Sequence, residues 1–100
     1  MTDIPPFRKL PAEITTLTKL QSLGLAGLDL KELPANFDKL QGLDSFDIMM
    51  NKLTLSKELH KLKGLTNLKY LALSGNKVDT ADIIELKRAN PNLVIESGLE

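Results

Sequence analysis

The feature that most narrows what this chain can fold into is a spacing. Residues 68–78, LKYLALSGNKV, place apolar side chains at offsets 0, 3, 5 and 10 from Leu68 and an asparagine at offset 8. The same offsets recur in Leu43, Phe46, Ile48, Asn51 and Leu53. They recur again in Leu20, Leu23, Leu25, Leu28 and Leu30, where leucine takes the asparagine slot. The copies start at 20, 43 and 68, so the periods are 23 and 25 residues. The connecting segments correspond too. Leu10-Pro11 precedes Ile14, Leu17 and Leu20 at the offsets by which Leu33-Pro34 precedes Phe37, Leu40 and Leu43. The third connector carries Leu55, Leu59, Leu62 and Leu65, lacks the proline and is two residues longer. A unit this short cannot bury its own apolar face, so stacked copies must share one core.

The frame resembles that of the leucine-rich repeat family, whose core is L-x-x-L-x-L-x-x-N-x-L within 20–29 residues. The resemblance covers roughly residues 10–98. It implies an α/β fold: a short right-handed solenoid with a parallel sheet of three or four short strands on its concave face. It also implies noncatalytic binding of a partner protein on that face. The Leu-Pro connectors look most like the short repeats of bacterial and intracellular members. The chain then reads as one domain over residues 1–100, with a C-terminal cap at 79–98.

The residues account for the frame physically. Apolar side chains two apart in each copy have the period of a strand with one buried face. Leu71 and Leu73 therefore point inward, and Tyr70, Ala72 and Ser74 outward. The turn after each strand leaves inward backbone groups with no sheet partner, and stranding one costs about 1–3 kcal/mol. An asparagine carries a carbonyl and two N–H donors to meet them. Asn51 and Asn76 are expected to form such a ladder. Leu28 departs from it, so the first turn needs another solution, such as water.

Both ends of the stack need covering. DTADIIELKRANPN, residues 79–92, reads as a capping helix at about 80–89. Asp79 or Thr80 is the N-cap, Asp82 lies in the first turn, and Lys87 and Arg88 complement the dipole at the other end. Ile83, Ile84 and Leu86 supply an apolar side, and Asn90-Pro91 stops the helix. Leu93 and Ile95 then alternate as a fourth strand. This ending looks like the closing unit of bacterial members of the family. At the N-terminus two readings stand: Ile4 and Phe7 cover the first repeat, or the chain is a stretch of a longer array.

Composition bears mainly on what the chain is not. Thirteen basic residues balance thirteen acidic ones, which argues against nucleic acid or an anionic membrane as partner. There is no cysteine, hence no disulfide and no thiolate metal site. No apolar run reaches the ~20 residues of a membrane helix. The first six residues lack the order of a secretory signal, so a soluble, cytoplasmic protein is expected. His60 stands alone, on the exposed side of its segment. Asp44 and Asp47 flank Phe46 without a second cluster to suggest acid–base work or a cation. Ser74-Gly75-Asn76 lacks the lysine of a phosphate loop, and Gly24 and Gly27 do not open a dinucleotide site. Lys52, Lys57, Lys61, Lys63, Lys69 and Lys77 read as a scattered, solvated set. No catalytic residue, metal or cofactor is expected.

Function is then expected on the outward rows. These are Ser22, Gly24 and Ala26; Ser45, Asp47 and Met49; and Tyr70, Ala72 and Ser74, with Asn92, Val94 and Glu96 if the fourth strand joins. Most are small. Methionine adapts its shape and tyrosine is enriched at interface hot spots, so Asp47, Met49, Met50 and Tyr70 form the expected contact patch for a protein partner. The plainer reading is that Met49 and Met50 cover the ends of the core. A structural role, as scaffold or self-associating stretch of a longer solenoid, is the alternative function. The chain is expected to be a monomer or to self-associate weakly.

Overall fold

The computed structural model describes residues 10–99. Four three-residue strands, β1 (Ser22–Gly24), β2 (Ser45–Asp47), β3 (Tyr70–Ala72) and β4 (Val94–Glu96), form one parallel sheet in sequential order. The register superposes the repeat frame: Leu23 lies beside Phe46, Phe46 beside Leu71, and Leu71 beside Ile95. The inward row thus forms a continuous spine, and Phe46 and Leu71 at its centre have no exposed surface.

The chain returns between strands on the other side of this core, and the form of each return follows its length. The two shorter connectors contain 3-10 segments, Ala12–Thr16 and Phe37–Lys39, each placed shortly after a proline. A 3-10 turn rises about 2.0 Å per residue against about 1.5 Å for an α-helix, so fewer residues cover the same span. The longer third connector winds into a helix, α1 (Leu55–Lys63). The last connector forms α2 (Thr80–Ala89).

The leucines of the connectors close the core from this side. Leu33, Phe37, Leu40, Leu55, Leu62, Leu65 and Leu86 are buried. The Phe37 ring stacks on Phe46 with centroids 5.0 Å apart and planes at 27°, an offset arrangement aromatic pairs favour. This contact ties the second connector to the second strand.

Two local expectations, for Ile84 and Ala72, need correction, and a third, the N-cap at Asp79, holds in a different form. Ile84 does not join the apolar side of α2 but is exposed; it lies about 100° around the helix from Ile83, outside the stripe that Ile83 and Leu86 turn to the core. Asp79 is the N-cap of α2, yet its side chain makes no capping bond, and its backbone carbonyl accepts from Asp82 N–H instead. Ala72 was expected among the exposed outward positions and is 1% exposed. It sits between Asp47 and Glu96 in the sheet register, and the longer side chains of its neighbours cover a methyl group. The proposed cover by Ile4 and Phe7 lies outside the described residues.

Candidate functional site

Past the ends of β1 and β2, five backbone groups meet one side chain. Asn51 Oδ1 accepts the N–H groups of Leu28 and Leu30, each at 3.0 Å. Its Nδ2 donates to the carbonyls of Leu25 at 2.9 Å, Ile48 at 3.0 Å and Met49 at 3.2 Å. Asn76 repeats the pattern one rung on: its Oδ1 accepts from Leu53 N–H, and its Nδ2 donates to the carbonyls of Ile48 and Leu73. Each asparagine therefore serves its own turn and the one before it. That overturns the expectation for Leu28. The first turn needs no separate solution, because Asn51 reaches back to it.

The opposite side holds a feature that the repeat frame does not show. Glu58 and Lys61, on the core-facing side of α1, are 3% and 9% exposed. Glu58 Oε1 accepts Leu33 N–H at 2.8 Å, while Lys61 Nζ donates to the Leu33 carbonyl at 2.6 Å and to Glu58 Oε1 at 3.0 Å. Lys61 accordingly leaves the scattered, solvated set in which its sequence neighbourhood placed it. The reason is local: Leu33 precedes the buried Pro34, which has no N–H, so the chain enters the core there with its backbone groups unmatched by a helix. The (i, i+3) spacing puts both charged residues over that point.

The outward face of the sheet is a grid. Along its first row lie Ser22, Ser45, Tyr70 and Val94; along its second, Gly24, Asp47, Ala72 and Glu96. Met49 and Met50 continue past the end of β2, with the Met49 carbonyl accepting from Gly27 N–H and Met50 N–H donating to the Ser74 carbonyl. Tyr70 is 38% exposed and Met50 67%, whereas Asp47 and Met49 are half-buried. Asp47 Oδ1 accepts Met49 N–H at 3.0 Å, which fixes the carboxylate at the head of its turn. Met50 adopts a left-handed φ of 57° and lies over Gly75. The face thus brings Asp47, Met49 and Tyr70 together and sets Met50 at its rim.

Glu96 joins them. It occupies an outward position of β4, beside Ala72. Its two carboxylate oxygens accept from Tyr70 Oη and Ser74 Oγ, both at 3.1 Å. The hydrogen bond to Glu96 raises the Tyr70 pKa above its ordinary value, with burial and the negative charges of Glu96 and Asp47 acting in the same direction. The phenol is therefore held neutral and oriented along the sheet. The sequence signal for this was the outward alternation of Tyr70, Ser74 and Glu96; the pairing itself depends on register.

On the remaining chemistry, His60 is exposed on α1. Among the described residues no group of three or more His, Cys, Asp or Glu side chains is placed to hold a metal ion. Nor is any helix among them long and apolar enough to cross a membrane.

A parallel sheet built one strand per repeat, with asparagines bridging successive turns, defines a stacked repeat protein. A leucine-rich-repeat protein from Leptospira interrogans has a solved structure that superposes with a TM-score of 0.72 at 27% sequence identity. The match covers 86% of this chain and 21% of that one, so the chain spans about a fifth of the length of that solved protein. The chain shares its fold with that leucine-rich-repeat protein, which supports the resemblance carried by the repeat frame. No family model and no curated relative matches its sequence.

Proposed function

We propose that this chain is a noncatalytic protein-interaction module that receives a partner protein on the outward face of its sheet, through Asp47, Met49, Met50 and Tyr70. In this reading the stacked repeats form a right-handed solenoid, and the sheet lines its concave side. Its setting is the cytoplasm, which a cysteine-free chain suits. The observation that carries the reading is the contrast across the face. Tyr70 and Met50 stand exposed beside Ser22, Gly24 and Ser45, whose small size lets a partner backbone approach closely. A tyrosine combines apolar area with a hydroxyl, and an exposed methionine moulds to what covers it.

The test is affinity capture from the source cell with three baits: wild type, the Tyr70→Ala/Met49→Ala double variant, and His60→Ala. A partner retained by wild type and His60→Ala but lost from the double variant supports the reading. A partner held equally by all three, or lost only from His60→Ala, moves the site away from the sheet face.

A further inference from the structure

We propose that this chain associates with a second copy of itself head to tail, the outer edge of β4 in one molecule pairing in parallel with the outer edge of β1 in the next. The contact uses the ends of the sheet and is independent of the partner-binding reading.

Burial along the spine points to it first. The central members, Phe46 and Leu71, have no exposed surface, but the end members, Leu23 and Ile95, are only half-buried. The same holds around them. At the β4 end, an open hollow of about 230 Å³ is lined by Thr80, Ile83, Ser97 and Leu99, and Leu99 is 53% exposed. At the β1 end, Ile14 and Leu20 are half-buried and Leu17 is 51% exposed. Each end presents the apolar residues that the middle rungs bury against one another.

The backbone identifies the occupant. Along a parallel strand, successive residues turn their N–H and C=O groups to opposite neighbours. Val94 N–H donates to the Lys69 carbonyl, and the Glu96 carbonyl accepts from Leu73 N–H. The groups of Val94 and Glu96 thus face β3, and those of Ile95 face outward. On β1, the Gln21 carbonyl accepts from Asp44 and Ser45, and Leu25 N–H donates to the Asp47 carbonyl. By the same alternation, the groups of Ser22 and Gly24 face away from β2. Among the described residues no strand pairs with either edge.

The outer edge of β4 is the kind of edge that β1, β2 and β3 each offer to the strand that follows. The outer edge of β1 is the kind that β2, β3 and β4 each offer to the strand before. A second copy therefore fits in the register already used three times, with Ile95 beside Leu23, Val94 beside Ser22 and Glu96 beside Gly24. Such a contact joins two different surfaces, so it leaves one free edge at each end and grows beyond a dimer.

Sedimentation velocity over a rising concentration series tests this. Wild type is expected to pass from monomer through dimer to larger species. Ile95→Pro removes an N–H that faces outward, a position where an edge strand tolerates proline. Gly24→Pro does the same at the other edge, where an added Cβ meets nothing within 4 Å. Each variant alone is expected to stay monomeric with an unchanged circular dichroism spectrum. Mixed in equal amounts they are expected to form dimers and stop there, because each retains the edge the other lacks. If Ile95→Pro does not fold, Ile95→Lys places a charge on the same contact and takes its role. A wild type that remains monomeric throughout overturns the proposal. So does one that stops at a dimer insensitive to Gly24→Pro, or a mixture that fails to pair.

Discussion

Where β1 ends, the stranded backbone groups go to one neutral side chain, Asn51. On the opposite side of the same rung, the Leu33 N–H and C=O go to two charged ones, Glu58 and Lys61. Both arrangements reach back from one repeat to the previous repeat and satisfy its buried backbone. An amide both accepts and donates, so one residue suffices; a carboxylate only accepts and an ammonium only donates, so two are needed. The second solution carries a hazard that the first lacks. Each buried charge depends on the other, and removal of either leaves an ion without its partner in a place closed to water.

The sharpest way to break this comparison is Glu58→Ala. It strands the Lys61 ammonium and the Leu33 N–H together, and removing one member of a buried pair costs about 3–5 kcal/mol. Small domains are stable by about 5–15 kcal/mol in all, so urea unfolding should show a midpoint far below that of wild type. Replacing both charges, as Glu58→Leu with Lys61→Met, should recover part of the loss, since no lone ion remains. If Glu58→Ala proves no more harmful than His60→Ala, which is expected to stay within about 0.5 kcal/mol of wild type, the pair does not hold Leu33 in solution.

The asparagines come next. Asn51 is buried and makes five hydrogen bonds. Asn76 is half-buried and makes three. Both alanine variants fall in the range of about 1–3 kcal/mol for stranding buried groups, with Asn51→Ala at the upper end and Asn76→Ala at the lower. The ranking is the test, read from the unfolding midpoints of the two variants. A larger loss from Asn76→Ala would mean that the number of groups served does not set the cost.

The two sides also differ in how far the sequence reveals them. On the sheet side every rung repeats one backbone geometry, so the residues that suit it recur at fixed offsets. Phe46 and Leu71 announce a shared spine without any knowledge of contacts. The connectors repeat only their leucines. Between those leucines each rung meets its neighbour differently, and a solution used once leaves no period to detect. Glu58 and Lys61 sit among Lys57, His60 and Lys63, where nothing in composition separates a buried lysine from a solvated one. Ala72 shows the same limit on the face itself. Alternation places it outward, but its exposure depends on Asp47 and Glu96 in adjacent strands. The bond between Tyr70 and Glu96 likewise requires the register of β3 against β4.

The turn at Gly75 sharpens the sheet-side half. Its φ is +83°, and a Cβ there would lie 2.9 Å from the backbone nitrogen and Cα of Met50. Gly75→Ala therefore combines an unfavourable backbone region with a clash against main chain, and about 1–3 kcal/mol is expected for such strain. Gly24→Ala, with open space around it, should be close to neutral. Paired unfolding curves for the two variants check whether repeat geometry, rather than loss of a glycine as such, sets the cost.

The smallest effect concerns protons. The chain has one tyrosine and no tryptophan, so its tyrosinate absorbance reports Tyr70 alone. The hydrogen bond to Glu96 raises the Tyr70 pKa, burial and the Glu96 and Asp47 charges adding to it, so the native midpoint should lie above the ordinary value of about 10. The native state then holds this proton to higher pH than the unfolded chain does. The stabilisation is complete below the unfolded pKa and is lost as pH rises through the native one. Glu96→Gln removes the charge and weakens the acceptor, so it should bring the midpoint down towards the ordinary value. Asp47→Asn removes only the weakest of these influences and should move it less. A midpoint that Glu96→Gln leaves unmoved would show that the Tyr70 hydroxyl is not held along the sheet in solution. The candidate face would then offer a freely turning phenol in place of an oriented one.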